Sequence, residues 1–253
     1  MVARITRPGM TSTATKEVQV SRWLDTRGFP VVQALPDVPN PVRIGDRDVS
    51  FWHEFTEHRP GTSAEIGALL RRLHTISADD LDLPDTDPFV QVEERIATLD
   101  FLDATDRTWM LDRATQLRHA YAALPPGLPR RLVHGDPWSG NVVITCDGPL
   151  LIDLERVSVG PPEYDLVVVA AAHTSYGTMS ARDYGLLVDA YGHDVTAWEG
   201  YPVLRDIREL RVTTYAGQVA LDHPDVLPQA VHRLRCLQGH HGHRPWTGWR
   251  AVP

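Results

Sequence analysis

The side chains able to do chemistry together lie in two short stretches. They are His134-Gly135-Asp136-Pro137-Trp138-Ser139-Gly140-Asn141 and, a little further on, Leu151-Ile152-Asp153-Leu154-Glu155. An aspartate follows a short apolar run, an asparagine comes five positions later, and a second aspartate closes the next β-like run. Phosphoryl transfer asks for this set: a carboxylate that accepts or orients the proton of an attacking hydroxyl, and hard oxygen ligands that hold Mg²⁺ against phosphates. A loop–strand–turn–strand unit can bring Asp136, Asn141 and Asp153 to the mouth of one cleft despite their separation in sequence. Ser139 is no hydrolase nucleophile, because it lacks the Gly-x-Ser-x-Gly elbow.

The elements that must position these groups read as follows. Val2–Arg7 alternates like a strand and stops at Pro8-Gly9. Thr11–Thr15 is polar and loop-like, and Lys16–Leu24 carries helical spacing that ends near Gly28. A short strand is expected at Val31–Leu35. Val42–Ile44, a Gly45-Asp46 turn and Val49–Phe55 form a hairpin. Ser63 is placed to cap a helix with Ile66, Leu69, Leu70 and Leu73 on one face. Further helices are expected over Val90–Leu102 and Thr108–Ala123. Short β runs follow at Leu132–His134, Val142–Thr145 and Leu150–Leu154, and the chain is mostly helical from Tyr164 onward. This order is α+β: a small β-rich piece with one helix, then a larger helical piece that carries small hairpins inside it.

Composition narrows the function classes. The chain has 253 residues, 42% hydrophobic and 23% charged, with a net charge of -8. That balance argues against nucleic acid as partner, whose binding face would be basic, and suits a cationic ligand. Cys146 and Cys236 make no disulfide framework. The longest apolar run, Leu166–Ala172, is far too short to span a bilayer. With no signal-peptide pattern at the start, the expected location is the cytoplasm. Lys16 is the single lysine, so a mechanism that needs a lysine has one candidate or none. Cys236, His240, His241 and His243 fit no zinc spacing, and Trp246 and Trp249 are expected to dock the C-terminal tail.

His-Gly-Asp-x-x-x-x-Asn followed by Ile-Asp-x-Glu resembles the catalytic and metal motifs of the aminoglycoside phosphotransferase and choline kinase group. Gly160-Pro161-Pro162-Glu163-Tyr164-Asp165-Leu166 and the stretch from Gly67 to His74 are similar to further segments of that group. The resemblance covers the chain from Val2 to about Tyr191. It implies a protein-kinase-like two-lobed fold, with a short N-terminal β-rich lobe and linker over residues 1–55 and a mainly helical lobe over 56–253. It implies ATP or GTP with Mg²⁺ as cofactors and a small, cationic acceptor, with neither nucleic acid nor membrane as partner. Asp136 then corresponds to the catalytic base or hydroxyl-orienting residue, and Asn141 and Asp153 to the Mg²⁺ ligands. His134 corresponds to a structural histidine, and Asp165 to a buried acceptor that holds the fold. Phe51, Trp52, His53 and Glu54 lie in the stretch similar to the adenine-binding linker. Late-helix carboxylates bind cationic acceptors in that group. Here Asp183, Asp189, Asp206, Glu209, Asp222 and Asp225 are expected to be mostly solvated helix faces.

Two departures stand out. Arg4 occupies the position usual for the nucleotide-binding lysine, with Glu17 as its ion-pair partner, although a solvated arginine at a strand end has the same sequence signature. Nothing precedes that strand to form a phosphate-covering hairpin, and Gly9 falls after it. An upstream start, a reduced small lobe and a non-catalytic or nucleotide-binding descendant all fit this. The second departure is Pro137-Trp138-Ser139 beside the acceptor position. Trp-Ser-Gly-Asn is similar to the fructosamine kinase version of the motif and keeps a sugar-amine acceptor open.

Overall fold

A computed structural model describes residues 1–6, 11–55, 57–78 and 80–252. Arg7 and the strand stop at Pro8-Gly9 lie outside the described residues. In chain order the elements are β1 (Val2–Ile5), α1 (Thr11–Thr26), β2 (Val42–Ile44), β3 (Arg47–Trp52), β4 (His58–Pro60), α2 (Ser63–Leu73), α3 (Val92–Thr98), α4 (Ala104–Ala122), β5 (Arg131–Val133), β6 (Val142–Thr145), β7 (Gly148–Leu151), β8 (Ser158–Gly160), α5 (Glu163–Thr174), α6 (Ala181–Tyr191), α7 (Tyr201–Asp222) and α8 (Leu227–Leu237). Two compact units divide the chain. One holds Met1–Asp85, Arg130–Asp165 and Leu186–Gly192; the other holds Thr86–Pro129, Leu166–Gly185 and His193–Pro253.

In the first unit, β1 and β2 flank β3 in an antiparallel sheet, and the register sets Arg4 opposite Ser50 and Val2 opposite Trp52. Gly45 supplies the positive φ, 64°, that the tight β2–β3 turn needs. The strand ends at Trp52 rather than Phe55, where its pairing with β1 ends. Near that end the Asn40 amide stands in for a neighbouring strand: it accepts from the Phe51 N–H at 3.0 Å and donates to the Phe51 carbonyl at 2.7 Å.

Helix α1 starts at Thr11, so the polar Thr11–Thr15 stretch is helical and not a loop. Its buried stripe is Ala14, Glu17, Val18, Ser21 and Leu24, a helical spacing with two polar members that masks the amphipathic signal. Ser21 Oγ donates to the Val32 carbonyl at 2.6 Å and accepts from the Ala34 N–H at 3.1 Å. The expected strand Val31–Leu35 is reduced to isolated bridges, Val31 to Leu151 and Ala34 to Trp52. Pro30 and Pro36 flank it, and neither can donate to a ladder.

A second sheet runs β4-β6-β7, and β5 pairs with β8. Strands β4 and β8 were not legible in the sequence, since three residues are too few to show a period. Helix α2 is capped by Thr62, one residue before the expected Ser63. Thr62 Oγ1 accepts from the Glu65 N–H at 3.4 Å, and Glu65 Oε2 accepts from the Thr62 N–H at 2.8 Å, a reciprocal capping box. Arg59 adds a two-armed contact to Glu65 at 2.8 and 2.7 Å. A Cβ at Gly67 would lie 2.6 Å from the Leu187 carbonyl, so the glycine admits a close helix approach.

The second unit is helical. Helix α3 is shorter than Val90–Leu102 because Gln91 sits in the left-handed region and Leu99 is extended. Helix α4 begins early because the Asp103 side chain accepts from the Asp106 N–H at 2.7 Å. The tail docks as expected: Trp246 and Trp249 are buried, Trp249 stacks on Tyr176 at 4.4 Å, and Arg244 lies over Trp246. Glu209 is not on a solvated face. It is fully buried and takes a two-armed contact from Arg244 at 2.7 and 2.6 Å, and Arg244 also reaches Asp206 at 3.0 Å. A carboxylate so buried needs such a partner.

Thr62→Ala is expected to cost about 1 kcal/mol in chemical unfolding. The contacts to Arg59 and Thr62 hold the Glu65 carboxyl down at about 2, below its ordinary value. Its contribution to stability is therefore present above about pH 4.5 and lost as pH falls toward 2. Because the group is partly solvent-screened, the effect is expected to be modest. Glu65→Gln should lack that part of the acid dependence when the two unfolding curves are compared across this range.

Candidate active site

Asp136 follows β5, in a loop fixed mainly by main-chain bonds. The His134 and Gly135 N–H groups point to one carboxylate, and Gly135, with φ +89°, turns the chain away from them toward Asp136. The two N–H groups donate to Asp165 Oδ2 and Oδ1, each at 2.7 Å. Asp165 is fully buried, as a fold-holding acceptor should be, and its Oδ2 also meets His74 Nε2 at 3.0 Å. The carboxylate accepts, so His74 carries its proton on Nε2 and takes the Tyr191 hydroxyl on Nδ1 at 2.9 Å. His134 donates from Nε2 to the Ile152 carbonyl at 2.9 Å and accepts from the Asp136 N–H at Nδ1, 3.3 Å. With both ring nitrogens committed, it braces the loop.

Asn141 closes the same loop. Its Nδ2 donates to the Asp136 carbonyl at 2.9 Å, and its own carbonyl accepts from the Ile152 N–H at 3.0 Å. The β6–β7 pairing, with Val142 opposite Leu151, then carries the chain directly to Asp153. Asp153 is a non-glycine residue at φ 62° and ψ 68°, just ahead of a 3₁₀ turn, Leu154–Arg156. Such a conformation is costly for an aspartate and aims its side chain away from the regular strand direction.

Arg4 meets Asp153 from β1. Its Nη1 donates to Glu17 Oε1 at 2.5 Å, and its Nη2 to Asp153 Oδ1 at 2.9 Å and Glu155 Oε2 at 3.5 Å. Burial disfavours the Arg4 charge, but Glu17, Asp153 and Glu155 outweigh it and its pKa rises. Burial pushes the Glu17 carboxyl up to about 7, with Arg4 pulling it down and Asp153 and Glu155 pushing it further up. Carboxylate oxygens of Glu17, Asp153 and Glu155 lie within 4.8 Å of one another. Lys16, half-buried, donates to the Val157 carbonyl at 3.3 Å.

The sequence-expected residues therefore fall into linked groups. Asp136, Asn141 and Asp153 are joined through the loop and the β6–β7 pair, while Arg4 and Glu17 meet at Asp153. In the Phe51–Glu54 stretch, Phe51 is bracketed by Asn40 and Trp52 is buried. The His53 N–H goes to the Gln33 carbonyl at 2.9 Å. Glu54 accepts from the Met1 amino group at 2.8 Å. Glu155 was missed as a site residue, although the Asp-x-Glu spacing puts it within reach. Trp138 is 47% exposed, and its six-membered ring lies over Gly140, where a Cβ would come within 2.3 Å.

The fold is kinase-like, and the family match that goes with it makes the chain a phosphotransferase. Residues 1–207 match the phosphotransferase enzyme family (APH), and the chain belongs to that family. Among solved structures, it is similar to a choline/ethanolamine kinase family protein from Mesorhizobium loti. That pair is 20% identical over 91% of this chain and 79% of the other, with a TM-score of 0.64. An aminoglycoside-3'-phosphotransferase of type VIII is 19% identical over 82% and 84%, with a TM-score of 0.62. An amicoumacin kinase in complex with AMP-PNP, Ca²⁺ and Ami is 15% identical over 98% and 83%, with a TM-score of 0.72. No curated relative matches the sequence. Among the described residues no helix is long and apolar enough to cross a membrane.

A Cβ at Gly135 would lie 2.7 Å from Arg156 Cβ and 2.9 Å from its carbonyl, in a conformation side chains avoid. Gly135→Ala should therefore cost about 2 kcal/mol or more in urea unfolding.

Proposed function

We propose that the chain transfers the γ-phosphoryl group of ATP or GTP to a hydroxyl of a small, amine-bearing acceptor, with Mg²⁺. The observation that carries this reading is the linkage of Asp136, Asn141 and Asp153 through one loop and hairpin, with Arg4 and Glu17 converging on Asp153. In this reading residues 1–55 form the nucleotide-binding lobe and linker, with Phe51–Glu54 near the base. Residues 56–253 carry the catalytic loop and the acceptor site.

The donor set suits a hard divalent cation. Asp153 and the Asn141 side-chain oxygen would be oxygen ligands, Glu155 stands beside Asp153, and a guanidinium already sits among the carboxylates as a stand-in positive charge. Asp153 and Asn141, with Glu155 close to Asp153, would hold Mg²⁺, which when bound would supply positive charge against the phosphates. Asp136 would orient the acceptor hydroxyl toward the phosphoryl group and take up its proton. His134 holds the Asp136 main chain in place and has no nitrogen left for proton transfer. Arg4, anchored on Glu17, offers a planar donor fork to phosphate where a lysine would offer a point charge. The net charge of -8 supports a cationic acceptor. The exposed Trp138 ring near Asp136 favours an acceptor with a ring, such as a sugar amine.

Calorimetric titration with ATP and GTP, each with and without Mg²⁺, tests the reading. Mg²⁺-dependent binding is expected, and Asp153→Ala should remove it. Asp136→Ala should keep nucleotide binding while turnover of an acceptor falls by about 10²-fold or more. If neither nucleotide binds, the non-catalytic alternative replaces this reading; if Asp136→Ala turns over normally, the assignment of the base is wrong.

A further inference from the structure

Arg4 touches more than its ion-pair partner. One terminal nitrogen is on Glu17, and the other is shared between Asp153 and Glu155. The two arms differ in surroundings. Glu17 is buried, its side chain only 3% exposed, whereas Asp153 and Glu155 are about a third exposed, at 31% and 33%. One arm is therefore locked into the protein and the other faces the solvent side of the cluster.

We infer that Arg4 is the built-in counter-ion of the proposed metal-binding carboxylates. Without nucleotide its outer arm holds Asp153 and Glu155, and an incoming divalent cation takes these over while the inner arm stays on Glu17. The inference rests on the reading of Asp153 as a metal ligand. Because separate nitrogens make the two contacts, the exchange does not break the buried pair. An ammonium group presents one nitrogen and cannot divide itself in this way. A guanidinium also stays charged at any pH the fold survives, so proton loss does not release the outer contact and a competing cation must.

The exchange has a thermodynamic consequence. The free energy of the outer contact is subtracted from the affinity of the site for a free cation, since the cation-ready state is only part of the population. A cation that arrives with a nucleotide recovers this loss, because the released arm then has phosphate oxygens to donate to. Metal and nucleotide would bind cooperatively through one side chain.

Titration with Mn²⁺ alone, followed by the electron paramagnetic resonance of the free ion, tests this on the nucleotide-free chain. Arg4→Gln is expected to bind Mn²⁺ about tenfold tighter than wild type. Lys16→Gln removes a charge that acts on Glu17 and Glu155 only through space and bonds to a carbonyl, so it should tighten binding clearly less than Arg4→Gln does. Should Arg4→Gln fail to fold, Arg4→Lys keeps a charge for Glu17 without the second arm and should tighten binding about threefold. Unchanged or weaker binding in the folded Arg4 variants, or an equal gain in Lys16→Gln, overturns the inference. A third arm isolates the underlying reading: adding Asp153→Ala to the tighter Arg4 variant should abolish the binding. Persistence there would place the cation elsewhere and remove the metal assignment along with the inference.

Discussion

The buried carboxylate of Asp165 is the constraint on which the site is built. It accepts from two consecutive main-chain N–H groups and from His74, with no exposure to solvent. Removing a carboxylate from water is expensive unless every oxygen finds donors. Here the donors are the backbone immediately ahead of Asp136 and a ring at the end of α2, so the cost of burial is offset only when the loop and the helix are both in place. Gly135 then lets the chain turn directly after these two N–H groups, in a positive φ that other residues resist.

From that anchor the order of the site runs outward along the chain. His134 spends its two nitrogens on the Ile152 carbonyl and the Asp136 N–H, which fixes the loop to the strand that leads to Asp153. Asn141 ties its own end of the loop to the Asp136 carbonyl. The side chains proposed for chemistry thus hang on a scaffold of main-chain bonds, which holds positions more tightly than a set of exposed side-chain pairs would.

Much of this was legible in the sequence because the motif residues are linked locally. Asp136, Asn141 and Asp153 lie within one loop and one hairpin, and β6 falls where its apolar run indicates. The burial of Asp165 and the Arg4–Glu17 pair also follow the resemblance. Polar residues in structural roles were harder. Thr11–Thr15 reads as a loop by composition, yet α1 is set by packing of a stripe that includes Glu17 and Ser21. Glu209 reads as a solvated helix acid, but its partner Arg244 comes from a tail remote in sequence, and pairwise charge matching over that distance leaves no periodic trace. Strands of three residues, such as β4 and β8, exist only because a partner strand supplies their bonds.

The placement of Lys16 has a practical side. Amine-reactive reagents, used to label proteins or to couple them to sensor surfaces, find no other lysine side chain in this sequence. That amine sits one residue before Glu17, half-buried against the Val157 carbonyl, and burial lowers its pKa. Acylating it would remove a positive charge beside Glu17 and Glu155 and strain the contact between α1 and the 3₁₀ turn. A chain immobilised through this lysine would be held by the region proposed to bind the metal and nucleotide. Cys146, exposed on the turn between β6 and β7, offers thiol coupling as a separate point of attachment.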